Sequence, residues 1–394
     1  MKKTIDDLVL TNKKVLMRVD FNVPIKDGVI TSNKRIVASL PSIEKVIKSG
    51  GKLILFSHLG RIKEESDKSK KSLLPISNEL ARLLKKPIIF VDQTRGKELE
   101  KAIAEMKNGD VLLVQNTRFE DLNDKAESKN NEELGAYWAS LGDVFINDAF
   151  GTAHREHASN VGISKHIKES AIGYLVEKEL NALSKLVVNP AHPYVAIIGG
   201  AKVSDKIKIL EKLITQVDKV LIGGGMAYTF KKALGYQIGT SLVENDYLEF
   251  AKNFYEANQD KIILPVDNLC APEFADIKPE IAEKDIPVHL MGLDIGPKTR
   301  TLFTSSLIGA KTIIWNGPMG VTEFNNYRTG TLAIAQAIAK LKGCYSVVGG
   351  GDSAAAVEKL EMESQFSHIS TGGGASLELL EGLPLPGIEA IQEK

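Results

Sequence analysis

Residues Tyr194–Lys206 read YVAIIGGAKVSDK, five residues able to form an apolar strand, then two glycines, then a polar stretch opening into a helical pattern. A run with no apolar–polar alternation is expected as a strand covered on both faces, and glycines let backbone approach closely at its end. The same order recurs along the chain. In the first half the runs are KVLMRVDFNVP, GKLILFSHLG, PIIFVD, DVLLVQNTRF and DVFINDAFG; in the second they continue as KVLIGGGMAYT, KIILPVD, TIIWNGPMG and YSVVGGGDSA. Apolar strands alternating with helices indicate parallel sheets. Two such sets in 394 residues, more than one core ordinarily serves, predict an α/β protein of two doubly wound parallel-sheet domains. The seam falls where GYLVEKELNALSKLVVNP reads as an amphipathic helix stopped by Pro190, which predicts an interdomain helix over 173–189.

Composition narrows the class. Hydrophobic residues at 43% and charged residues at 25% are globular values, and no apolar run is long enough to span a bilayer. The opening MKKTIDDLVL has no apolar signal region, so a cytoplasmic location is expected, with no membrane or nucleic-acid partner and a monomeric chain. Cys270 and Cys344 are in no metal or redox spacing and are expected to be inert thiols. Net charge is zero, yet residues 1–170 carry 29 Lys+Arg against 24 Asp+Glu and the remainder 21 against 26. This asymmetry suits an anionic substrate on one side and a metal-bound nucleotide on the other. The charged stretch Lys63–Lys71, KEESDKSKK, is expected to be a solvated surface loop.

Ligands of open α/β sheets bind beyond the carboxyl ends of the strands. First-half strands end in Asp20 and Asn22, in His58 and Arg61, in Arg118, and in Asp148 followed by His154 and Arg155. With Arg35 from ITSNKRI, four arginines and a histidine are expected to converge on one crevice and grip a small ligand carrying phosphate and carboxylate. Any one arginine alone would read as a surface ion pair; the repeated strand-end placement argues for the set. His154 and His157 have no third ligand near them, so hydrogen bonding to phosphate or loop backbone is preferred to a metal site.

Second-half strands end in glycine clusters: IIGGAKVSDK, IGGGMAYTF, VVGGGDSAAAV and ISTGGGASLELL. Glycines before a helix bring backbone N–H groups to an anion, and phosphates are the natural occupants. Lys202 and Lys206, one turn apart on a helix, would reach the same phosphate chain, and Asp352 would meet a Mg²⁺ ion, cap its helix, or do both. No GxxxxGK[ST] loop and no HRD or DFG motif occurs. Gly349, Gly351 and Ala354 spell GxGxxA, which raises a flavin- or NAD(P)-dependent oxidoreductase as a rival. The acidic residue expected about 20 residues on is missing. A two-domain solute-binding protein is a second rival, opposed by the glycine clusters and the missing export signal.

Eight motifs carry a family resemblance: RVDFNVP (18–24), SHLGR (57–61), NDAFGTAHR (147–155), GGAKVSDK (199–206), DIGPKT (294–299), WNGPMG (315–320), GGGDSAAA (349–356) and STGGGASLELL (370–380). In this order they resemble the phosphoglycerate kinase family across essentially the whole chain. The resemblance implies two Rossmann-like domains joined by a helix and hinge, and a glycolytic phosphotransferase with a carboxyl group as acceptor. The reaction would be reversible transfer from 1,3-bisphosphoglycerate to MgADP, giving 3-phosphoglycerate and ATP. By position, Asp20, Phe21, Asn22, Arg35, His58, Leu59, Gly60, Arg61, Arg118 and Arg155 would bind the glycerate substrate in a domain of residues 1–172, joined by a tail of 376–394. In a domain of residues 190–375, Lys202, Lys206, Gly224, Gly225, Asn316, Glu323, Gly350, Gly351, Asp352 and Ser353 would hold ADP or ATP, with Gly292 near the adenine and Mg²⁺ at Asp352. Arg35, Lys202, Gly350 and Gly351 would stabilise the transferring group. Hinge closure, at the ends of the connector near Gly173 and Asn189 and at Ser370–Gly374, is expected to join the ligands. The departures are Ile62, Gln115, Thr117, Thr322 and Leu383–Pro384, of which Thr322 and Gln115 are placed to alter nucleotide fit or loop packing.

Overall fold

The segment KVLMRV forms a strand, Lys14–Val19, with five of its six residues buried. It pairs in parallel with Lys52–Phe56 on one edge and Val144–Asp148 on the other, a central place in the sheet where both edges are occupied. The computed structural model describes all 394 residues, divided into one unit of Met1–Asn181 with Pro384–Lys394 and a second of Ala182–Leu383. The sheet of the first unit runs Ile89–Val91, Val111–Val114, Lys52–Phe56, Lys14–Val19, Val144–Asp148, Ser170–Ile172, parallel throughout. Chain order reverses between Lys14–Val19 and Val144–Asp148, so the crevice of this sheet opens beyond Val19 and Asp148. Val15, Met17, Leu53, Leu55, Val111 and Ile146 pack there against Ile36, Ile43 and Val46 of the helix Lys34–Lys48.

The second unit repeats the plan. Its parallel sheet runs Ile262–Ile263, Lys219–Ile222, Tyr194–Ile198, Thr312–Asn316, Tyr345–Gly349, His368–Ile369, the strand order 3-2-1-4-5-6 of dinucleotide-binding sheets. The reversal lies between Tyr194–Ile198 and Thr312–Asn316, where Gly199 and Gly317 follow. Ile197, Leu221, Ile313, Trp315 and Val348 bury their side chains against Phe303, Ile334 and Val357.

Beyond the parallel sheets, Asn268–Ala271, Glu280–Ala282 and Met291–Ile295 form a small antiparallel sheet in the second unit. The connecting helix is Tyr174–Val187, and the two units divide inside it, after Asn181. The returning tail is shorter than expected. Helix Gly374–Glu381 belongs to the second unit, and only Pro384–Lys394 joins the first, where Asn147 Nδ2 donates to Gly387 O at 2.8 Å and Lys2 Nζ to Ile391 O at 2.9 Å. The Lys63–Lys71 stretch contains a short helix, Ser66–Lys70, tied by a Lys71–Asp67 ion pair at 2.8 Å. No helix is long and apolar enough to cross a membrane.

The helix Tyr174–Val187 begins on a buried carboxylate. Asp148 Oδ1 accepts from Leu175 N at 2.9 Å and Val176 N at 3.3 Å, serving two of the N–H groups that a helix start leaves unpaired. Burial pushes this carboxyl up to about 6 from 3.8, against the opposing pull of Ser42 and the two backbone donors. The folded protein therefore holds this proton more tightly than the unfolded chain. Its contribution to stability is full below 3.8 and is lost as pH rises through 6, a change on the order of 3 kcal/mol. Urea titrations should show that slope, and Asp148→Asn should flatten it; an unchanged slope would remove the carboxyl as its source.

Candidate active site

At the crevice of the first sheet, the loop after Lys14–Val19 is held by its neighbours. Phe21 N donates to Ser57 Oγ at 2.9 Å, and Gly60 N donates to Asn22 Oδ1 at 2.9 Å, so the Asp20–Asn22 and His58–Gly60 loops are one assembly. Leu59 N donates to Asn116 Oδ1 at 3.1 Å, anchoring the second loop to the strand end that carries Arg118. Arg35, in the first turn of Lys34–Lys48, pairs with the Asp20 carboxylate. Burial alone would raise that carboxyl, but Arg35, His58 and Arg18 together hold it below its ordinary value.

The cluster is strongly basic. His58 is lowered to about 3, first by burial and then by Arg18, with Arg118 and Arg35 adding to it against Asp20. His157 is lowered to about 2 by burial, then Arg118, Arg18, His58 and Arg155. Both imidazoles are therefore neutral at pH 7, and their surroundings show that Arg18, Arg35, Arg118 and Arg155 act on one region. Arg118 Nη1 donates to Asp121 at 3.1 Å and Ser128 at 2.8 Å, and Arg155 Nε lies 3.1 Å from His154 Nε2. Arg61, in the loop after Gly60, is exposed. Gln115 is buried and serves loop packing, accepting from Leu73 N at 2.9 Å and donating to Asp92 at 2.6 Å.

In the second unit, Gly199 N donates to Asn316 O at 2.8 Å across the reversal, and Gly317 N to Ser353 Oγ at 2.5 Å. Asn316 Nδ2 donates to Gly349 O at 2.8 Å, and its Oδ1 accepts from Lys206 Nζ at 2.5 Å. Gly350, with φ +91°, begins the helix Gly351–Lys359 close to that amide; a Cβ there would lie 2.8 Å from Asn316 Nδ2. Lys202 and Lys206 are not on a helix. Both precede Ile207–Leu213, Lys206 standing at its N-cap and Lys202 exposed ahead of the turn 204–206, because Gly199–Gly200 leave the strand on an irregular path before helical geometry starts. Asp352 is likewise not the cap of its helix: Gly350 takes that position and Asp352 is exposed in the first turn.

A cavity of about 550 Å³ opens beside these groups, lined by Gly224, Gly225, Gly292, Glu323 and Asp352 among the expected residues, and by Gly200. Thr322 is part of its wall, as are Tyr228, Leu242, Phe274, Met291 and Val321, apolar or aromatic groups that no strand-end argument singled out. The cavity thus combines apolar and aromatic side chains with glycine backbone and the carboxylates of Glu323 and Asp352, a lining that suits a flat base joined to phosphates. Asp352 is an oxygen donor of the kind Mg²⁺ prefers, and no group of three or more His, Cys, Asp or Glu forms a metal cage. Such a site fits an ion carried chiefly by phosphate oxygens and water. Cys270 is buried and Cys344 partly buried, and burial raises their thiols to about 12 and about 11.

Residues 5–383 match the family model described as phosphoglycerate kinase. A phosphoglycerate kinase of Enterococcus faecalis is 58% identical over 395 residues, covering 100% of both chains, and one of Staphylococcus aureus matches at the same identity and coverage. Among solved structures, phosphoglycerate kinase from Coxiella burnetii has a TM-score of 0.88 at 41% identity, covering 99% of this chain and 98% of that one. The enzyme from Pyrococcus horikoshii has a TM-score of 0.85 at 31% identity, with the same coverage. Two parallel-sheet units, a basic crevice in one and a glycine-bordered cavity in the other thus come with similarity along the full chain, and the protein belongs to the phosphoglycerate kinase family.

Proposed function

We propose that the protein catalyses reversible phosphoryl transfer from 1,3-bisphosphoglycerate to MgADP, giving 3-phosphoglycerate and ATP. The observation that carries this reading is the division of chemistry: guanidinium groups gather in the unit containing Arg35, and the glycine-bordered cavity with Asp352 lies in the other. Asp20, Asn22, Arg35, His58, Arg61, Arg118 and Arg155 bind the glycerate. The cavity takes the nucleoside, with Lys202, Lys206, Asn316 and the Gly350–Ser353 turn at its phosphates. Asp352 would help hold the Mg²⁺ that comes with the nucleotide, and the ion would supply neutralisation of phosphate charge. During transfer the bond from phosphorus to the carboxyl oxygen breaks and one to a terminal ADP oxygen forms. The leaving carboxylate and the attacking oxygen are both anionic at pH 7, so no general base is required. Catalysis then consists of alignment and of positive potential from Arg35, Lys202 and the helix start at Gly350–Gly351.

Asp352→Asn tests the metal side. Calorimetry should show MgADP affinity falling about tenfold or more while 3-phosphoglycerate affinity is unchanged, since the carboxylate serves only the ion. Equal loss of both would place Asp352 in folding instead. The reacting atoms must also come within about 3–3.5 Å, so the reading includes hinge closure that excludes water. Small-angle scattering should give a smaller radius of gyration with both ligands than with either; an unchanged radius would count against closure. The reading extends to a monomeric, cytoplasmic enzyme, and sedimentation at the mass of one chain, 42.9 kDa, checks the first of these.

A further inference from the structure

Beneath the basic crevice lies a chain of buried polar groups that the transfer reaction does not use directly. Arg18 is fully buried in the Lys14–Val19 strand: Nε donates to Ser159 Oγ at 2.8 Å, Nη1 to Val19 O, and Nη2 lies 3.1 Å from His58 Nδ1. Ser159 Oγ in turn donates to Glu127 Oε1 at 2.5 Å, and Ser159 N donates to Glu127 Oε2 at 2.9 Å. Glu127 and Ser159 are both fully buried. The serine hydroxyl has one proton, given to Glu127, so toward Arg18 it acts as acceptor. Each link in the chain therefore has a fixed direction.

That direction determines the state of His58. A guanidinium has only donors, so the His58 Nδ1 facing Arg18 must be the unprotonated nitrogen, and the ring proton falls on Nε2. We propose that Glu127, acting through Ser159 and Arg18, is a positioning residue that locks His58 as the Nε2–H tautomer, a neutral donor for a phosphate or carboxylate oxygen of the bound acid. A donor without charge adds a directed hydrogen bond to a crevice already rich in arginine and avoids another buried cation beside Arg18. Burial and Arg18 also keep this imidazole from gaining a second proton at pH 7. Glu127 and Asp20 both counter the charge of the fully buried Arg18, and Arg18 in turn opposes the rise that burial imposes on the Glu127 carboxyl.

The inference rests on the reading of this crevice as the 3-phosphoglycerate site, and the test separates the two. Nitrogen-15 spectra of labelled imidazoles in the full chain report the His58 tautomer, and calorimetry reports affinity for 3-phosphoglycerate and, in the other unit, MgADP. The unsubstituted protein should show His58 as Nε2–H from pH 8 to 5. Ser159→Ala should produce mixed tautomers or a titrating His58, and weaken 3-phosphoglycerate binding about tenfold or more with MgADP affinity retained. Ser159→Thr, which keeps the hydroxyl, should restore both. Glu127→Gln should reproduce the alanine phenotype, and serves where that variant fails to fold. An Nδ1–H tautomer in the unsubstituted protein, or an unchanged tautomer and affinity in folded Ser159→Ala, would overturn the inference. Failure of the unsubstituted protein to bind 3-phosphoglycerate would instead overturn the reading of the crevice.

Discussion

Replacing Arg35 by alanine is expected to lower turnover about a thousandfold or more while ADP affinity stays within about twofold. Arg35 belongs to the first unit and the nucleotide cavity to the second, so the guanidinium is not counted among the groups that bind ADP. Its partner is Asp20, a carboxylate that Arg35 helps keep ionised despite burial. An arriving acyl phosphate offers the same guanidinium a second set of anionic oxygens, whose charge grows as transfer proceeds. Arg35→Lys should recover only part of the rate, because an ammonium supplies a point charge and no planar fork. Turnover within about tenfold of the unsubstituted enzyme in the alanine variant would remove Arg35 from the mechanism.

Gly317→Ala should have the largest effect on the nucleotide side. Gly317 has φ +91°, and a Cβ there would stand 2.1 Å from Gly199 O and 2.8 Å from Gly200 N, both backbone atoms. No rotamer relieves that contact. The chain must move where Gly317 N meets Ser353 Oγ and where Trp315 Nε1 donates to Gly317 O at 2.8 Å. Left-handed strain and overpacking together should cost about 3 kcal/mol or more. The melting temperature of the second unit should fall by roughly 6–12 °C. ADP affinity should fall with it, since the displaced backbone adjoins Gly200 in the cavity wall, whereas 3-phosphoglycerate affinity should persist. A normal melting temperature and normal ADP binding would show that the reversal point tolerates a side chain.

The parallel sheets were legible because their strands are short apolar runs ending in glycine or charge, and all ten runs named from the sequence lie on strands. Ser170–Ile172 was missed because three residues after a charged stretch carry no pattern. The antiparallel sheet was missed for a related reason. NLCA and MGLDI are brief, and no helix separates them, so the alternation that revealed the other strands does not extend to them. At the candidate site, the sequence points to residues that end strands and not to those that support them. Glu127, in a turn, and Ser159, in the short π-helix Ala158–Gly162, are far from Arg18 in sequence, and only the fold links the three by hydrogen bonds. Arg18 itself did leave a sign: a charge inside the otherwise apolar KVLMRV, buried on both faces, must have a buried partner. The two lysines were misplaced on a helix because glycine followed by polar residues does not mark where helical hydrogen bonding begins. The apolar wall of the cavity, with Phe274 and Leu242, was not legible because apolar residues in loops look like ordinary core.

The most direct test of the central claim is a coupled assay of the purified chain with 1,3-bisphosphoglycerate, ADP and Mg²⁺, following ATP. The expected result is ATP formation that requires both substrates, falls on removal of Mg²⁺, and reverses with 3-phosphoglycerate and ATP. Reduction or oxidation of NAD(P) by the chain, with no ATP formed from ADP, would contradict the account.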